Sequence, residues 1–97
     1  MNEPGLSRLH AIINGEVQGV GFRYYVLHQA NALALTGWVR NVHDYKVEVI
    51  AEGSRHELEQ LLQDLKVGPD SARVDKVSEE WDDAKGNFTS FDVSPSV

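Results

Sequence analysis

A two-layer α+β sandwich, with two helices laid on one face of a mostly antiparallel sheet, is the fold class this sequence predicts. Three observations predict it. The apolar period switches between two and about 3.6 in the order strand, helix, strand, strand, helix, strand, with a short extra strand at the end. Glycine or turn residues punctuate each switch. The chain has 97 residues, enough for one core of two layers and not for two cores.

Residues 8–17 alternate around Leu9, Ala11, Ile13 and Val17, with Ile12 turned the other way, and predict the first strand. After a glycine-rich turn, Phe22, Val26, Ala30 and Leu33 recur at helical spacing and predict the first helix. Trp38, Val39 and Val42 form a strand that runs into a turn at His43-Asp44-Tyr45-Lys46. Val47, Val49 and Ala51 alternate with Glu48, Ile50 and Glu52 as the second arm of that hairpin, which Gly53 ends. Ser54-Arg55-His56-Glu57 is a capping box, in which the serine accepts from the Glu57 N–H while Glu57 reaches back to the serine N–H. Leu58, Leu61, Leu62 and Leu65 then make an amphipathic stripe that belongs to the core, and Gly68-Pro69 stops the helix. Val74, Val77 and Trp81 lie in a fourth strand, whose Glu79-Glu80-Trp81-Asp82-Asp83 run is a solvated end. Phe88, Phe91 and Val93 predict the short last strand. This order is the ferredoxin-like split βαβ arrangement, βαββαβ.

Composition narrows the function classes. Fifteen acidic against nine basic residues give a net charge of −6, which argues against a broad nucleic-acid footprint and against an anionic membrane surface. With no cysteine, a disulfide scaffold, a thiolate nucleophile and a cysteine metal site are all excluded. No apolar run approaches the ~18 residues of a membrane span. Residues 1–7 lack the basic and apolar regions of a leader, so the expected compartment is cytoplasmic. Size and polarity predict a monomer. His10, His28, His43 and His56 share no metal-ligand spacing and are expected to be surface residues without a role, so no metal and no cofactor are expected. Asn87-Phe88-Thr89 matches a glycosylation sequon by chance on this reading.

The chemistry concentrates in Gly15-Glu16-Val17-Gln18-Gly19-Val20-Gly21-Phe22-Arg23, between the first strand and the first helix. Three glycines let the backbone curl so that the N–H groups of Val17, Gln18, Gly19, Val20, Gly21 and Phe22 can point inward as an anion nest at a helix start. Arg23 adds a fixed-charge, bidentate donor suited to a phosphoryl group. The nucleotide-binding P-loop is excluded, because Phe22 and Arg23 follow Gly21 where lysine and a metal-binding hydroxyl would stand. The dinucleotide fingerprint fails as well, with Tyr24 in the place of its third glycine. On glycine spacing alone a plain structural turn fits as well as a cradle.

Gly15-x-Val17-Gln18-Gly19-Val20-Gly21-Phe22-Arg23 resembles the signature of the acylphosphatase family. Further elements of that family follow in its order at Gly37-Trp38-Val39-Arg40-Asn41, at Val47-Glu48-Val49-x-x-Glu52-Gly53 and at Gly68-Pro69-x-Ser71-Ala72-x-Val74. Together they cover roughly residues 8 to 93. The resemblance implies one acylphosphatase-like domain over residues 1–97 with the ferredoxin-like fold already read from the pattern. It also implies a metal-free hydrolase that converts a small-molecule acyl phosphate into a carboxylate and inorganic phosphate. Arg23 would bind the phosphoryl group and Asn41 would position the attacking water. An isolated arginine early in a helix usually pairs with an acid, and an asparagine ending a strand is usually a turn former; the flanking motifs favour the catalytic readings. Trp38 is expected to be a packed aromatic.

Two positions depart from the family's pattern. Tyr45 follows Asp44 where a glycine is usual, and Ala34 stands where a glycine often ends the first helix. If these positions need positive φ, the turn is strained or of another type and the helix cap is remodelled. The competing reading from another class is a phosphate or carbamoyl-phosphate binding module without fast turnover. Such domains occur at the front of larger maturation proteins, and a chain ending at Val97 without zinc-finger cysteines favours a free-standing enzyme. A ferredoxin-like RNA binder would need stacking aromatics and basic residues on its sheet, and the RNP pattern is absent.

Overall fold

The computed structural model describes residues 5–97; residues 1–4, part of the stretch read above for a leader, lie outside the described residues. Its elements are β1 (Ser7–Glu16), α1 (Phe22–Ala32), β2 (Thr36–Val42), β3 (Lys46–Gly53), α2 (Arg55–Val67), β4 (Arg73–Asp83) and β5 (Phe91–Val93). They form one five-stranded sheet in the order β4-β1-β3-β2-β5. All pairings are antiparallel except that of β5 with β2, so the predicted α+β, ferredoxin-like class with an extra terminal strand is the fold observed. Phe88 falls outside that last strand, which holds only three residues, and packs instead under the Arg8 guanidinium at 5.4 Å.

The alternation in β1 decides which face is covered. Leu9, Ala11 and Ile13 are fully buried and meet Val47, Val49 and Ala51 of β3, their register partners in reverse order. Phe22, Val26 and Ala30 of α1 and Leu58, Leu61, Leu62 and Leu65 of α2 close the same core. Burial of each of the larger of these side chains contributes roughly 1.5–3 kcal/mol, which is why the leucine stripe predicts the packing face so directly.

The opposite face of the sheet carries ion pairs. Glu48 accepts from His10 Nε2 at 2.7 Å and from Arg40 Nε at 2.9 Å, so His10 has a structural partner that its isolation in the sequence did not suggest. Arg40 also stacks over Trp38 at 4.5 Å. Glu52, buried, accepts from Arg8 Nε at 2.7 Å and from the backbone N–H groups of Lys85 and Gly86 at 2.8 and 3.1 Å. Burial alone would push both carboxyls up, yet these donors outweigh it and hold Glu48 and Glu52 below the ordinary carboxylate value.

The helix ends follow their sequences. Ser54 caps α2 by accepting from the Glu57 N–H at 3.4 Å, while the Glu57 carboxylate takes the Ser54 hydroxyl instead of reaching the serine N–H. α1 closes with Ala34 N–H on Asn31 and Leu35 N–H on the Ala30 carbonyl, the paired bonds of a Schellman motif. Ala34 adopts φ 58° there, so the cap keeps its geometry without glycine.

Candidate active site

The loop between β1 and α1 follows a register shift in the sheet. Pairing of β1 with β4 shifts register between Asn14 and Gly15, a bulge after which Gly15 and Glu16 still pair with Val74 and Arg73. An added Cβ at Gly15 would collide with the Arg73 carbonyl oxygen, so this glycine serves the close approach of two strands rather than the curl. The curl belongs to Gly19 and Gly21, at φ 75° and 79°, where another residue would cost about 1–2 kcal/mol. Val17 stands at the base of the loop with its side chain in the core, 1% exposed.

Gly21 is also the N-cap of α1, which has no side-chain cap and no acidic residue in its first turn. Among the described residues, no backbone N–H from Gln18 to Gly21 donates to a backbone carbonyl. Phe22, Arg23 and Tyr24 are first-turn residues, whose N–H groups have no intrahelical acceptor. A run of unpaired donors thus coincides with the positive end of the helix dipole, the arrangement that attracts an anion. Arg23, half-buried in the same turn, makes neither an ion pair nor a side-chain hydrogen bond among the described residues.

Asn41 is the penultimate residue of β2 and pairs with Val47 of β3. Alternation along β2 puts its side chain on the face of Val39, toward the helices. Its Oδ1 is buried with no hydrogen-bond partner among the described residues. Leaving such an acceptor unpaired costs about 1–3 kcal/mol, which favours a donor from outside the chain at this side chain. Its backbone carbonyl is satisfied by the Val97 N–H at 3.1 Å, so the orphan is the side chain alone.

Gln18 joins the two parts. Its Nε2 donates to the Val42 carbonyl at 2.9 Å and to the Lys46 carbonyl at 2.8 Å, the two residues that close the β2–β3 hairpin. The amide therefore clamps the loop to the turn beside Asn41, and Gln18 and Asn41 line one groove of about 390 Å³. Sequence reasoning placed Gln18 only as a backbone donor; its long amide beside a hairpin of matching reach is the signal for the clamp. Arg23 does not line that groove. In the turn itself, His43, Asp44 and Tyr45 bridge the paired residues Val42 and Lys46, and Asp44 and Tyr45 take φ 67° and 63°. The strain expected at Tyr45 is present.

Comparison with known proteins covers nearly the same span. A family model described as Acylphosphatase matches residues 9–93. The acylphosphatase of Acaryochloris marina is 42% identical over 90 residues, covering 93% of this chain and 96% of that protein. The acylphosphatase of Thermobifida fusca is 47% identical over 85 residues, covering 88% and 93%. The crystal structure of acylphosphatase from Bacillus subtilis superposes with a TM-score of 0.88 at 33% identity, covering 91% of this chain and 98% of that one.

Proposed function

We propose, since this chain belongs to the acylphosphatase family and hydrolyses acyl phosphates, that the loop from Val17 to Phe22 holds the transferred phosphoryl group and that Arg23 and Asn41 carry the reaction. The observation that supports this reading above others is the unpartnered Asn41 Oδ1, next to the hairpin turn that Gln18 ties to a loop of unpaired N–H donors. Water attacks phosphorus while the bond from phosphorus to the acyl oxygen breaks. The products are a carboxylate and inorganic phosphate, with one proton released from the water.

Each group has a task that its chemistry suits. The loop N–H groups and the Arg23 guanidinium meet the equatorial oxygens, where charge is spread in the transition state. Asn41 Oδ1 accepts a hydrogen bond from the attacking water and fixes its line of approach without itself titrating. The carboxylate is a good leaving group, so no general acid is needed, and we read the reaction as metal-free. We read residues 1–97 as one such domain, cytoplasmic and monomeric, in keeping with the −6 charge.

The test combines a substrate and a variant. Benzoyl phosphate should be hydrolysed in the presence of a metal chelator, and Asn41→Ala should lower kcat at least a hundredfold while inorganic phosphate affinity stays within about threefold, the signature of an interaction made in the transition state. A kcat within threefold of the parent sinks the water-positioning role. Loss of thermal stability in step with kcat would instead make Asn41 a structural residue.

A further inference from the structure

We propose that Tyr45 forms the wall of an acyl-group subsite and gives this protein a preference for aromatic acyl phosphates; the inference rests on the reading of Asn41 as the residue that holds the attacking water. In-line displacement places the attacking and leaving oxygens on opposite sides of phosphorus. With the water beside Asn41, the leaving carboxylate and its acyl group point away from Asn41. A second groove adjoins the Asn41 groove, about 490 Å³ in volume and lined by Glu16, Val17, Gln18, Val20, Tyr45 and Ser71 among others, with Asn41 absent from it, and it is the space open to an acyl group that points away from Asn41. The Asn41 groove and this one share Gln18 and Tyr45, so the tyrosine stands at their boundary.

Nothing within the fold accounts for the ring being there. Tyr45 is 78% exposed, and among the described residues its hydroxyl makes no hydrogen bond. Its backbone sits at φ 63°, directly after Asp44 at 67°, in a region that a bulky side chain disfavours. A strained, solvent-facing aromatic at the mouth of a groove is suited to stack on a flat partner, since ring pairs gain beyond simple burial. The Ser71 hydroxyl donates to the Val20 carbonyl at 2.8 Å and so ties together two residues of the groove wall. Val20, half-buried, adds an apolar side chain to the same groove.

The test is a ratio. kcat/KM for benzoyl phosphate and for acetyl phosphate should be measured on the parent, on Tyr45→Phe and on Tyr45→Asn, asparagine being chosen because it tolerates positive φ and so keeps the turn. The benzoyl-over-acetyl preference is expected to fall about tenfold in Tyr45→Asn and to persist in Tyr45→Phe. A ratio in Tyr45→Asn within twofold of the parent, with both substrates turned over, overturns the subsite while leaving the Asn41 reading intact. An equal fall in Tyr45→Phe also overturns it, because the ring would then not be the recognised feature. Failure of the parent to hydrolyse either substrate overturns the reading of the whole site and this inference with it.

Discussion

Arg23 shows most sharply why residue type matters at this site. It is half-buried in the first turn of a helix and has no acid to pair with among the described residues, which is what the proposed phosphoryl-binding role asks of it. Replacement by lysine preserves the charge and loses the planar fork that meets two phosphoryl oxygens at once. Arg23→Lys is expected to lower kcat/KM by ~10²–10³, the usual loss for one preorganised donor. Activity and phosphate affinity within a few-fold of the parent would reduce Arg23 to a source of general positive potential. The neighbouring glycines were legible in the sequence as a group, but their separate jobs were not. Gly15 is fixed by Arg73, 58 positions further along, and only the paired strands bring that carbonyl to it. The same holds for the orphaned Asn41 Oδ1: which groups fail to reach a side chain is a property of the assembled fold.

Elements were legible where one face of the chain is buried. Leu58, Leu61, Leu62 and Leu65 sit on one side of α2, and all four are buried. Phe88 misled because an apolar residue before a strand carries the same period as one inside it, and its actual partner, Arg8, lies at the far end of the sequence. The end of α1 provides a quantitative test. Ala34 holds the left-handed position of a Schellman motif, at a conformational cost of about 1–2 kcal/mol. Glycine would remove that cost and return about 0.5–1 kcal/mol of unfolded-state entropy. Ala34→Gly should therefore stabilise by about 0.5–1 kcal/mol and raise Tm by a few degrees, which thermal denaturation followed by circular dichroism can read. A lowered Tm would mean that the cap is not strained.

At the scale of the whole molecule, acid sensitivity traces to the sheet. The folded pKa of Glu52 lies below its unfolded value because Arg8 and two backbone N–H groups favour the ionised form. Its contribution is full above the ordinary carboxylate value of about 4.3 and is lost as pH falls through the lowered one. Glu48 acts in the same direction through His10 and Arg40. Denaturant midpoints measured from pH 7 down to 3 should fall across that window, and Glu52→Gln should flatten the fall while lowering stability at pH 7. An unchanged slope in the variant would place the acid sensitivity elsewhere.

β1 lies between β3 and β4, and each of its two neighbours comes from a part of the chain made much later. The strand whose end leads into the proposed phosphate loop therefore waits for β4 before its bulge at Gly15 can form. On the ribosome, or after dilution from denaturant, that bulge forms only once β4 has paired with β1. Such long-range pairing is slow relative to helix formation. Catalytic competence is thus a late event in folding, and a nascent chain that has emerged only as far as α2 carries every residue of the proposed site without yet having a site.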